Sequence, residues 1–153
     1  MALTDLVASN AVLPALKAAN KKQALQELAS HAAKLCGESE HEIFEILQQR
    51  EKLGSTGVGN GVAIPHGKLP KLTKLFGLFA RLDQPIDFEA LDGQPVDLVF
   101  LLLAPEGAGA DHLKALARVA RLLRDPEIAT KLRESTTVET LYAALAASPA
   151  SVG

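Results

Sequence analysis

The chain contains no tryptophan, one tyrosine, five phenylalanines and a single cysteine in 153 residues. Aromatics at 4% offer few platforms for stacked bases, and 16 Lys+Arg against 18 Asp+Glu, with no basic run longer than Lys21-Lys22, leave no electrostatic footprint for a phosphate backbone. Nucleic acid is therefore not an expected partner. Long apolar runs are missing as well. A stretch such as Leu98 to Ala104 falls far below the roughly 20 residues that span a bilayer. The N-terminus also lacks a basic segment followed by an apolar core, so the expectation is a soluble, cytoplasmic protein without direct membrane insertion. Cys36 alone forms no internal disulfide and assembles no thiolate metal site; on a helix face it reads as core.

What is present is enough for one folded unit: 48% apolar residues, 22% charged and a formal charge of −2. The expected organisation is a single domain over 1–153, with a core from about residue 3 to 147 and a frayed tail at 148–153. Leu3 to Ala18 mixes Leu/Val spacing with Pro14 and reads as a short helix or irregular start with a brief strand at Ala11 to Leu16. Asn20 caps a helix from Lys21 to Cys36 that Gly37 stops, and Ser39 with Glu42 forms a capping box for a second helix running to about Lys52. The glycine-rich Gly54 to Gly61 reads as a tight loop leading into a short strand, Val62 to Ile64, ended by Pro65. Leu75 to Leu82 predicts a strand, Pro85 to Gly93 a turn-rich connection, and Val96 to Leu103 a centrally buried strand closed by Pro105 to Gly109. Three helices follow: Asp111 to Leu123, a short one with Asp125 as cap and Pro126 first, and one from about Thr137 to Ala147, with Thr136 and Glu139 spaced as a capping box. Helices on either side of a strand-bearing middle make this an α/β domain.

The informative stretch runs from Arg50 to Lys68. A Walker loop does not fit it, because Gly61 and Gly67 enclose five residues and Leu69, not a hydroxyl residue, follows Lys68. A dinucleotide fingerprint fails too, since Gly57-Val-Gly-Asn-Gly61 leads into a β-branched, proline-stopped segment and not into a helix. No nucleotide cofactor is expected.

His66 lies between Pro65, which stiffens the approach, and Gly67, whose missing side chain leaves the ring open to another molecule. An exposed imidazole on a rigid turn, with an unperturbed pKa of about 6.5, is a good phosphoryl acceptor near neutral pH. Taken on spacing alone, the same residue also reads as a hydrogen-bonded loop histidine. His112 follows the Gly107-Ala-Gly109 turn at a helix start, where free amides and the macrodipole favour a phosphate. The alternative is a capping pair, Asp111-His112, on a solvated helix end. Arg50, at the end of the second helix, either offers a planar fork to phosphoryl oxygens or is solvated there. His31 and His41 have no ligand-spaced neighbours and read as structural or surface residues. A zinc site from His66, His112 and Asp111 has no His-x-x-x-His or Cys-rich pattern behind it, so no metal is expected. Arg118, Arg121 and Arg124 recur every three residues, as on a solvated helix face, and would suit an acidic partner if they border His112.

The run Gly-Ser-Thr-Gly-Val-Gly-Asn-Gly-Val-Ala-Ile-Pro-His-Gly-Lys68, with Arg50 before it and His112-Leu-Lys-Ala-Leu-Ala-Arg-Val-Ala-Arg-Leu-Leu123 beyond it, resembles the enzyme IIA domains of the phosphoenolpyruvate-dependent phosphotransferase system. The resemblance is to the mannitol/fructose superfamily and within it to the nitrogen-related branch, and it covers nearly the whole chain. It implies a mixed β-sheet flanked by helices, with His66 the phosphorylated nucleophile and with His112 and Arg50 stabilising the phosphoryl group. It further implies a phosphotransferase component, not a multiple-turnover enzyme on its own, with a histidine phosphocarrier protein as donor and no cofactor. In the nitrogen-related branch the phosphorylation state would regulate partner proteins. A sugar-type domain would instead pass the group to a membrane-associated enzyme IIB, and a non-enzymatic binding module with inert histidines is the remaining alternative.

Overall fold

The computed structural model describes residues 5–146. The expected tail at 148–153, Ala147 and the two core residues 3–4 lie outside the described residues.

The fold is built outward from its most apolar strand. Consecutive apolar side chains from Leu98 to Ala104 must be covered on both sides of a sheet, and all are buried in β6, Val96–Pro105. On one edge β6 pairs antiparallel with β5, Phe76–Ile86, in a register that sets Phe79 against Phe100. On the other edge it pairs in parallel with two short strands in turn, β3, Val62–Ala63, and β4, His66–Leu69. Strand β1, Val12–Leu16, adds in parallel to β5, and β2, Gly57–Gly59, adds antiparallel to β3, giving the order β1-β5-β6-β3-β2 with β4 beside β6. The sheet is mixed, as expected.

Helix α1, Lys21–Cys36, is capped by Asn20, whose side chain accepts from the Gln23 amide at 2.8 Å, and stops at Gly37 in the left-handed region at φ 79°. Helix α2, Glu40–Lys52, begins at Ser39 and packs on α1 and on β4. After β6 come α3, Ala110–Arg124; α4, Pro126–Glu134, capped by Asp125; and α5, Val138–Ala146. Thr137, not Thr136, caps α5: its hydroxyl accepts from the Thr140 amide at 3.2 Å. Among the described residues no helix is long and apolar enough to cross a membrane.

Three strand assignments depart from the sequence pattern. β5 does not end at Leu82 but continues through Pro85 to Ile86; the register shifts between Arg81 and Ile86, and at such an irregularity a residue without an amide hydrogen is tolerated. The glycine-rich segment is not a tight loop throughout: its Gly57–Gly59 part is a strand that forms a hairpin with β3. Its two-residue connection, Asn60-Gly61, has φ of 58° and 79°, the positive pair of a type I′ turn. Finally, His66 does not stand on a turn. It is the first residue of β4, opposite Leu102 in the register with β6.

Candidate functional site

Arg50, His66 and His112 come from three separate elements, the last turn of α2, the start of β4 and the first turn of α3, and the fold brings them together. The backbone around Pro65 makes this possible. Pro65 lacks an amide hydrogen, but its carbonyl accepts from the Leu102 amide at 3.0 Å, so the parallel ladder continues across it into β4.

The His66 ring is fixed at both nitrogens. Nδ1 lies 2.8 Å from the Ile64 carbonyl oxygen, which can only accept, so Nδ1 carries the hydrogen. Nε2 is thereby left with its lone pair, and it accepts from Arg50 Nε at 3.3 Å. Burial pulls the pKa of this ring below the ordinary histidine value. The Ile64 hydrogen bond opposes that shift, the Arg50 cation adds to it and the Glu51 carboxylate opposes it. The ring is half-buried, not exposed.

Gly67 does not leave space for a visiting molecule. A Cβ there would collide with Cγ2 of Ile46, so the absent side chain lets α2 lie against β4 and delivers Arg50 to the ring.

His112 is 6% exposed, which rules out a solvated capping pair, and its ring meets that of His66 edge to face, with centroids 5.7 Å apart and 68° between planes. Its Nε2 is buried and has no hydrogen-bond partner among the described residues. Burial lowers its pKa, and the positive charge that His66 carries when protonated and that of Lys68 lower it further. Buried polar atoms are nearly always paired, and this nitrogen, on a ring in edge contact with His66, has its hydrogen-bonding capacity unused. Arg50 completes the wall: while Nε points at His66, Nη1 donates to the Gly54 carbonyl at 2.9 Å and holds the guanidinium in place. A lone pair, a planar cation and a buried unpaired imidazole nitrogen suit the acceptance of an anion and bond formation at Nε2.

A family model described as "Phosphoenolpyruvate-dependent sugar phosphotransferase system, EIIA 2" matches residues 5–148. The chain belongs to this family. The "Nitrogen regulatory protein" of Bradyrhizobium diazoefficiens is 72% identical to this IIA domain over 150 residues, 98% of each chain. The crystal structure of Nitrogen Regulatory Protein IIA-Ntr from Neisseria meningitidis superposes with a TM-score of 0.88 at 34% identity, covering 94% of this chain and 98% of that one. The crystal structure of IIA mannitol from Escherichia coli gives 0.76 at 25% identity, covering 91% and 97%. The IIA domain stands with the nitrogen-related members of the family.

The other candidates in the IIA domain are spread over α1, α2 and α3. His31 is half-buried within α1, His41 is exposed in the first turn of α2, and Cys36 is half-buried at the end of α1, where burial raises its thiol pKa. Arg118, Arg121 and Arg124 are exposed on α3. Asp111 is exposed, and among the described residues no group of three His, Cys, Asp or Glu side chains could hold a metal ion. Sequence reasoning missed Glu51, next to Arg50 on α2, and Thr56, which donates to the Glu51 carboxylate from within the glycine-rich segment. Their signal was the burial of a threonine inside a run of glycines, and that is visible only in three dimensions.

Proposed function

We propose that this IIA domain is a phosphohistidine carrier in which Nε2 of His66 accepts the phosphoryl group and His112 and Arg50 stabilise it. The observation that carries the reading is the tautomer: the Ile64 carbonyl occupies Nδ1–H at 2.8 Å, and this leaves Nε2 as the nucleophile, facing Arg50. In the transfer the Nε2 lone pair forms the new N–P bond while the N–P bond of the donor's phosphohistidine breaks. The electron pair returns to the donor ring, which leaves as neutral imidazole when its second nitrogen carries a proton. His66 keeps its Nδ1 proton on Ile64, and the ring's positive charge is offset by the phosphoryl dianion. Such a loose transition state asks for alignment and neutralisation of charge, not for covalent help. Arg50 Nε turns from Nε2 to the phosphoryl oxygens while Nη1 keeps the Gly54 carbonyl, and the neutral His112 donates from its unpaired Nε2.

The donor is a histidine phosphocarrier protein that draws on phosphoenolpyruvate, which puts the reaction in the cytoplasm. The outlet is regulatory: the phosphorylation state alters binding to protein partners. The 72% identity to a nitrogen regulatory protein across 98% of both chains supports that branch. A second reading, transfer to an enzyme IIB, is favoured by the sugar system in the family description and by the likeness to a mannitol IIA domain.

Incubation with phosphoenolpyruvate and the general relay proteins tests the reading. One acid-labile, base-stable phosphate per chain is expected, absent from His66→Ala; an unlabelled wild-type chain contradicts it. Adding a IIB domain separates the outlets, since rapid discharge would favour the sugar-type route and retention the regulatory one.

A further inference from the structure

The glycine-rich segment after Arg50 would be a floppy stretch if composition decided its behaviour, yet nearly every residue in it is fastened. The Gly54 carbonyl accepts from Arg50 at 2.9 Å, Ser55 Oγ donates to the Phe88 carbonyl at 2.7 Å, and the Gly57 carbonyl accepts from the Leu91 amide at 3.1 Å. Gly57 itself packs so tightly that a Cβ would overlap Ala90.

At the centre of these ties is a carboxylate. Glu51 has a side chain only 6% exposed, and it is the residue next to Arg50 on α2. Its Oε1 accepts from the Thr56 amide at 3.0 Å and from Lys21 Nζ at 2.9 Å; its Oε2 accepts from the Thr56 hydroxyl. Thr56 is 4% exposed. Lys21 is held in turn by its place over the Phe88 ring, 4.9 Å from the centroid. A buried carboxylate costs stability unless it is paired and its lone pairs are used, and here both conditions are met by groups from α1 and from the glycine-rich segment.

The fastening leads directly to the reacting ring. The carbonyl of Thr56 accepts from the Ile64 amide at 3.0 Å, and the carbonyl of Ile64 holds His66 Nδ1 at 2.8 Å. A second branch runs through Gly54, two residues before Thr56, whose carbonyl anchors Arg50 Nη1. Thr56 is therefore upstream of both contacts that orient the site: the one that sets the tautomer of His66 and the one that aims Arg50.

We propose that Glu51 is a positioning residue for phosphoryl transfer, its carboxylate clamping Thr56 so that the Ile64 and Gly54 carbonyls hold His66 and Arg50 in the reactive arrangement. The inference rests on the reading of His66 as phosphoryl acceptor. Glu51 does not touch the phosphoryl group; it acts through Thr56. Buried hydrogen-bonded partners of this kind hold active groups to within fractions of an ångström, and their loss typically costs on the order of 10- to 100-fold in rate.

The test compares Glu51→Gln, Thr56→Val and Thr56→Ser in the full chain, by the rate of phosphoryl acceptance from the phosphorylated histidine phosphocarrier protein and by ring ¹⁵N shifts of His66. The shifts report the tautomer, which a loss of general stability in a still-folded protein would not move. Glu51→Gln and Thr56→Val are expected to slow transfer about 10- to 100-fold and to mix the Nδ1–H and Nε2–H tautomers, while Thr56→Ser, by restoring the hydroxyl, recovers most of the rate lost in Thr56→Val. Thr56→Val keeps the backbone amide contact, so it reads the clamp even if Glu51→Gln fails to fold. Wild-type rates and a single tautomer in Thr56→Val would overturn the proposal while leaving His66 as the acceptor. A wild-type protein never labelled at His66 would instead remove the reading beneath it.

Discussion

The rings of His66 and His112 meet edge to face, 5.7 Å between centroids, and the buried Nε2 of His112 is without a hydrogen-bond partner among the described residues. A phosphoryl group on His66 would supply an acceptor for that nitrogen in the Nε2–H tautomer of His112. His112→Ala is therefore expected to slow transfer through His66 while leaving His66 the labelled residue. The loss of one preorganised donor at a developing charge is worth about 2–4 kcal/mol, or about 30- to 1000-fold. Rapid-quench kinetics in both directions, with circular dichroism to check the fold, measure it; unchanged rates would place His112 outside the site.

The pH dependence of stability follows from the same pair. Burial, supported by Arg50 at His66 and by neighbouring positive groups at His112, lowers both pKa values below the unfolded value. Between the folded and unfolded pKa values the unfolded chain binds more protons, so stability rises with pH through that window. The contribution is fully present above about pH 6.5 and is lost as pH falls through the folded values. Melting temperatures from about pH 7.5 to about pH 5 are expected to drop more for the wild type than for His66→Ala, and least for the double variant with His112→Ala. Parallel curves would contradict the burial account.

Ile46 and Gly67 form a contact that the sequence alone misrepresents. Gly67→Ala would drive its methyl into Ile46, and overpacking of this kind costs about 1–3 kcal/mol. Urea unfolding of Gly67→Ala, Ile46→Ala and the double variant is expected to show a smaller cost of the added methyl when Ile46 is absent. An additive cycle would mean that the two side chains do not compete for the same space.

Helix α4 pins the tip of the β2–β3 hairpin. Arg133 donates through Nε to both Asp97 oxygens, at 2.9 and 3.1 Å, and through Nη2 to the Asn60 carbonyl at 2.6 Å. The Arg133 and Asp97 side chains are 35% and 25% exposed, so the solvent screens part of the attraction and Arg133→Met is expected to cost about 1 kcal/mol. Thermal unfolding checks this, with added hydrogen-exchange at the Asn60-Gly61 turn; a loss confined to α5 would contradict the assignment.

Much of this was legible in the chain because the signals were local. Asn20 with Gly37, Ser39, and Asp125 with Pro126 bound three helices by side-chain chemistry that acts over one turn. Arg50 and His66 lie close enough in sequence for one motif to carry both. Strand β4 was not legible: His-Gly-Lys-Leu has no periodicity, and it becomes a strand only because Leu102 to Pro105 of β6 lie alongside. The Asn60-Gly61 hairpin carried a readable turn signal that the surrounding glycines masked. The meeting of His66 with His112 and the Glu51–Thr56 clamp are tertiary relationships between elements whose approach no local pattern encodes.

Acceptance of the phosphoryl group at Nε2 of His66 is tested most directly by the position of the phosphorus on the ring. A two-dimensional ¹H–¹⁵N ring spectrum of the protein phosphorylated from phosphoenolpyruvate, with ³¹P coupling resolved, is expected to show phosphorus bonded to Nε2 of His66 and a proton retained on Nδ1 against Ile64. Phosphorus on Nδ1, or on any of the other three histidines, would contradict it.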